Sequence, residues 1–201
     1  VWNQSASGKN VFTYEGTLNN GAITNMSITN SGPGTPQGWN LVGNPYPCAI
    51  DLDAAAGWSY SNVDAAVYYW DETQYKVYSA AGLGGTGSGT GSRYVPSNQG
   101  FFIKCNNTSG GSISVDNNVR LHDDASFYKK TKSLNNLLRL KVEGNNDQDE
   151  VIVQFDTNAT KGYDGNFDAY KLYGLLSAPQ LYTLTPDNDS IMLTMNVLNP
   201  D

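Results

Sequence analysis

Leu137-Leu138-Arg139-Leu140-Lys141-Val142-Glu143 is the stretch that decides the fold class. Leu138, Leu140 and Val142 fall on one side of an extended chain and Arg139, Lys141 and Glu143 on the other, the period of two expected of a half-buried antiparallel strand. The turn residues Gly144-Asn145-Asn146-Asp147-Gln148 follow, after which Val151, Val153 and Phe155 alternate with Ile152, Gln154 and Asp156. Further on, Ile191, Leu193 and Met195 repeat the pattern. Toward the N-terminus, short alternating runs bounded by turn residues recur at 10–15, 38–43, 66–71, 75–78 and 99–104, and these read as strands. The one helical candidate is 51–57, with Asp51 placed to cap it and Gly57 to close its last turn.

The expectation is therefore an all-β chain of two antiparallel β-sandwich-like modules in tandem, residues 1–125 and residues 126–201. Between them the alternation lapses into HDDASFYKKTKSLNN from His122, which reads as a connection whose Phe127 and Tyr128 dock on one of the modules. No closing strand is evident before Asn199-Pro200-Asp201, so the second module is either complete or short of its last strands. The glycine-rich AAGLGGTGSGTGS between Tyr78 and Arg93 has few side chains to bury and reads as an exposed loop.

Of 201 residues, 39% are hydrophobic, enough for a core. Twelve Lys and Arg stand against 19 acids, a formal charge of −7, which repels a phosphate backbone and argues against a nucleic-acid partner. No run of eighteen apolar residues occurs, so membrane insertion by a helix is not expected. With only 15% charged residues and abundant Gly, Asn, Ser, Thr and Tyr, the composition is that of an exported β-protein, secreted or held at a cell surface.

Several segments carry a family resemblance. GWNLVGNPYPCAIDLD from Gly38, VYYWDETQYKVY from Val67 and RYVPSNQGFFIK from Arg93 resemble paired motifs found just upstream of the C-terminal sorting domain in Bacteroidota type IX secretion substrates. NLLRLKVE, DEVIVQFDTNATKGYDGNFDAYKLYG from Asp149 and APQLYTL from Ala178 are similar to the same proteins, in the same order. The resemblance implies a β-sandwich region of a larger secreted protein that meets the type IX machinery through a sorting domain outside this chain. It assigns no activity, because such regions accompany unrelated cargoes. Asp189-Ser190-Ile191 resembles an O-glycosylation acceptor sequence of the same phylum. Cys48 and Cys105 stand where the family usually has none, and their joint appearance suggests a Cys48–Cys105 disulfide, two buried thiols being the alternative.

Candidate sites divide into aromatic and acidic sets. Tyr46 in Asn44-Pro45-Tyr46-Pro47, together with Tyr68, Trp70, Tyr75 and Tyr78 on either side of the Asp71-Glu72-Thr73-Gln74 turn, supplies flat rings of the kind that stack on sugar faces, or that pack a core. Asp156, Asn158, Asp164, Asn166 and Asp168 place oxygen ligands close together in a glycine-containing loop, suited either to structural calcium or to Asx turns. No other cofactor is expected. Gly82-Leu83-Gly84-Gly85-Thr86-Gly87 has the letters of a dinucleotide loop without the flanking strand, helix and acid that such a site needs.

For catalysis, His122 is the single histidine and no nucleophile elbow accompanies it. Asp51, Asp53, Asp64, Asp71 and Glu72 show no arrangement beyond turns and a cap. The reading is a non-catalytic module that binds or adheres, with a polysaccharide as its ligand; the alternative is a structural spacer with no ligand of its own.

Overall fold

The computed structural model describes residues 15–31, 38–121, 136–187 and 190–200. The chain is all-β. Its strands are β1 (Ile23–Ile28), β2 (Trp39–Gly43), β3 (Ala49–Asp51), β4 (Trp58–Ser61), β5 (Ala66–Trp70), β6 (Tyr75–Ser79), β7 (Ser88–Gly89) and β8 (Tyr94–Val95). They continue with β9 (Gly100–Lys104), β10 (Gly111–Val115), β11 (Arg120–Leu121), β12 (Leu137–Gly144), β13 (Asp147–Phe155), β14 (Ala169–Tyr170), β15 (Thr183–Leu184) and β16 (Met192–Leu198). Among the described residues, helix is confined to two single 3₁₀ turns, Ala81–Leu83 and Asn117–Val119. The expected helix at 51–57 is instead a turn: the Asp51 carboxylate accepts the Asp53 N–H at 2.9 Å, but Asp51 ends β3.

Four sheets result, ordered β1-β10-β4, β11-β3-β8, β2-β9-β5-β6-β7 and β12-β13-β16-β14, with β15 also on β16. All their pairings are antiparallel except β13 with β16. The β12–β13 hairpin turns on Asn145 and Asn146 at φ 55° and 63°, the left-handed pair that a two-residue type I′ turn demands and that asparagine tolerates.

The sheet β2-β9-β5-β6-β7 is covered on both faces. Val67 and Tyr69 of β5, Tyr78 of β6, and Phe101 and Ile103 of β9 enter one core with Ile28, Ile50, Ile113 and Val115 from the two three-stranded sheets. Their sequence neighbours Ala66, Tyr68 and Val77 enter a second core with Ile152, Ala169, Met195 and Val197. Strand alternation thus sends adjacent residues of one strand into different cores. The chain stacks in three layers, and the sheet built from the C-terminal third lies directly against the central one.

The Gly82–Ser92 stretch departs from the expected exposed loop. Leu83, Ser88, Gly89 and Gly91 are buried, β7 pairs with β6, and Gly82 donates its N–H to Leu52 O at 2.8 Å. A Cβ at Gly82 would stand 2.3 Å from Trp58 Cδ1, and one at Gly89 2.1 Å from Val77 O. The glycines are there because the backbone runs too close to its neighbours for any side chain.

Candidate functional site

The aromatic set lies largely inside. In the Asn44-Pro45-Tyr46-Pro47 turn, the Asn44 amide donates to Cys48 O, Val95 O and Pro96 O at 2.8–3.0 Å and its Oδ1 accepts the Tyr46 N–H. That clamp turns Tyr46 inward. Its hydroxyl donates to Gly21 O at 2.7 Å, and the Arg120 guanidinium lies 5.4 Å from its ring centroid. Tyr68 is buried between layers, edge-on to Trp39 at 4.8 Å. Tyr78 is buried and donates to Asp53 Oδ2 at 2.5 Å; burial first, then this bond, raises its pKa far above the ordinary phenol value. Tyr46, Tyr68 and Tyr78 are therefore core residues and not a stacking platform, a correction to the sugar-facing expectation. Only Trp70 and Tyr75 are half-open, with ring centroids 5.0 Å apart, and Tyr75 also leans on Phe102.

The acidic set forms backbone-tying turns. Asp156 Oδ1 accepts from the Asn158 N–H at 2.9 Å, and Asp164 Oδ1 from the Asn166 N–H at 3.0 Å, both Asx turns. Asp168 is buried, its carboxylate accepting the N–H groups of Asp164 and Val197 at 2.9 and 2.8 Å. Desolvation outweighs those bonds and pushes its pKa up to about 6. Among the described residues, no group of three or more His, Cys, Asp or Glu side chains is arranged to hold a metal ion.

The expected Cys48–Cys105 bridge is absent: both are free thiols. The Arg120 Nε donates to Cys48 Sγ at 3.2 Å, while Cys105 Sγ donates to Asn107 O at 3.3 Å. Both cysteines follow C-terminal ends of β2 and β9, but these strands pair antiparallel, Gly43 opposite Gly100 and Trp39 opposite Lys104. Antiparallel neighbours put their C-terminal ends at opposite ends of the ladder, here separated by about 13 Å of strand, twice the reach of a disulfide.

Two buried clusters carry little sequence signal. Between layers, Asp64 accepts from Tyr163 Oη at 2.7 Å and from the Asn106 amide at 3.0 Å, with Lys104 Nζ at 3.9 Å. Tyr163 stacks on Tyr170 at 4.2 Å, and Lys104 lies 4.7 Å from the Tyr170 ring centroid. Lys171 and Asp149 form a second buried ion pair, and Asp149 also accepts the Leu181 N–H at 2.6 Å. Of the other acids named from sequence, Asp51 holds Arg93 through two bonds, and Asp71 caps its own turn through the Thr73 and Gln74 N–H groups. His122, Phe127, Tyr128 and Asp189 lie outside the described residues, while Ser190 is exposed.

The outer face of β1-β10-β4 is polar and uncharged. Ser27, Ser112 and Ser61 stand in register across three strands, with Ser114 opposite Ser59. At its end a cleft of about 420 Å³ is lined by groups including Thr29, Asn30, Asn62 and Ser109, with no ionisable side chain among the described lining residues. A family model described as a domain of unknown function (DUF8693) matches residues 2–194. No curated protein and no solved structure matches the chain.

Proposed function

The chain belongs to the DUF8693 family, and from that premise we propose that it is a non-catalytic structural module of a larger secreted or cell-surface protein, acting as a spacer. The carrying observation is the central sheet buried on both faces, which joins the two halves through a shared core and converts what would be a hinged pair into one stiff unit. The inward aromatics and close-packed glycines support the same reading, since they serve the fold. Resemblance to type IX secretion substrates supports export, directed by a sorting domain outside this sequence.

Small-angle scattering tests the stiffness. A single compact body has a radius of gyration near about 17 Å for this length; a profile requiring two bodies at variable separation overturns the spacer. Recovery from the native source only in the cytosol overturns export.

A second reading, neutral polysaccharide binding, is favoured by the uncharged cleft beside the serine face. Hydroxyl and amide groups exchange hydrogen bonds with sugar hydroxyls without demanding charge. Affinity electrophoresis through neutral polysaccharides retards the chain on this reading, and unaltered migration in all of them removes it.

A further inference from the structure

We propose that β12 is a self-association edge, pairing antiparallel with β12 of a second copy so that two five-stranded sheets become one continuous sheet. β12 closes its sheet, with β13 on one side and no strand on the other among the described residues. It is eight residues long and well exposed, Leu138 and Leu140 being 50% and 44% open to solvent. Unpaired edges of this length are templates for another strand.

The ladder settles which backbone groups are free. Phe155 N–H donates to Asn136 O at 3.0 Å, so Asn136 and Phe155 form a hydrogen-bonded pair. With antiparallel alternation, Leu138, Leu140 and Val142 direct their amides toward Val153, Val151 and Asp149. The N–H and C=O groups of Leu137, Arg139, Lys141 and Glu143 are left pointing outward.

Charge then selects the register. A two-fold pairing about Leu140 sets Arg139 against Lys141, and one about Lys141 sets that residue against itself and offers Glu143 only Arg139, which Glu150 and Gly89 O already hold at 2.9 and 3.1 Å. Centred on Val142, Lys141 opposes Glu143 of the second copy and Glu143 opposes its Lys141. These side chains lie on one face and are 45% and 69% exposed, already paired within the strand at 2.6 Å. Opposite charges directly across an antiparallel pair stabilise it and like charges oppose it. In the same register Val142 meets its own copy, beside Leu140 on either side, which extends the apolar row. The two-fold is closed and pairs Leu140–Gly144 of each copy, so this contact joins two copies and does not propagate into a filament.

Sedimentation of the full chain over rising concentration tests this. The wild type forms a dimer and nothing larger. Lys141→Glu and Glu143→Lys each raise the dimer dissociation constant at least about tenfold, because each creates two like-charged pairs. An equimolar mixture of these two variants recovers the dimer, as does the double variant Lys141→Glu/Glu143→Lys, since both restore opposite charges at each facing position. Unchanged thermal unfolding of dilute variants shows that the fold is intact. A wild type that stays monomeric at the highest concentration, or single variants that dimerise like it, overturns the proposal.

Discussion

Gly89→Ala discriminates between a glycine stretch that is flexible and one that is packed. Gly89 is not among the glycines held at positive φ, so alanine there tests space alone. Its Cβ would meet Val77 O at 2.1 Å, Tyr78 Cα at 2.7 Å and Val77 C at 2.9 Å. All three are backbone atoms of β6, whose side chains fill cores on both faces, so neither strand can yield without disturbing packing. Forced overpacking costs about 1–3 kcal/mol, against a gain of about 0.4–1 kcal/mol from a less flexible unfolded chain. A net loss of about 1.3 kcal/mol corresponds to a melting temperature lower by roughly 3–5 °C at this length. Urea unfolding, with Gly144→Ala as a control where nothing lies within 4 Å, measures it. A Gly89→Ala protein as stable as the wild type, or more stable, would refute the packed-glycine argument.

Tyr68→Ala empties part of the core between layers and is expected to cost about 3–5 kcal/mol in urea unfolding; a loss under 1 kcal/mol would mean that the layers do not share that core. Burial raises the Asp168 pKa from 3.8 to about 6, so between those values the folded chain keeps a proton that the unfolded chain has released. That contribution to stability is whole below about pH 4 and declines as pH rises through 6, by up to about 3 kcal/mol. Asp168→Asn removes it, and pH-dependent urea midpoints that track the wild type would contradict the assignment. Under denaturing, non-reducing conditions two thiols react with a maleimide, from Cys48 and Cys105; zero reactive thiols would restore the bridge.

Local chemistry made much of the fold legible. Asn145-Asn146 flanked by alternating runs specified the β12–β13 hairpin, because asparagine is the side chain that best tolerates two consecutive left-handed residues. Asp71 at the head of Asp71-Glu72-Thr73-Gln74 likewise marked the β5–β6 turn, its carboxylate answering the Thr73 and Gln74 N–H groups. Asp156, Asn158, Asp164 and Asn166 read as turn residues for the same short-range reason, and two of the turns they make are seen.

What only the tertiary structure decided are relations between elements distant in sequence. Ala66-Val67-Tyr68-Tyr69-Trp70 is an unbroken apolar run, the mark of a strand buried on both faces, yet whether a second layer existed to cover the other face depended on residues beyond Leu137. Glycine permits both mobility and close approach; the proximity of Val77, Trp58 and Leu52 selected the second. Cys48 lies in the turn that follows β2 and Cys105 directly follows β9, and strand direction, which periodicity does not encode, set those two strand ends at opposite ends of a ladder. Sequence alone determined the all-β class and the hairpins, because turn chemistry and the two-residue period act over a few residues. The layering and the fate of each aromatic ring came from the assembled sheets, because burial is decided by what lies across a face.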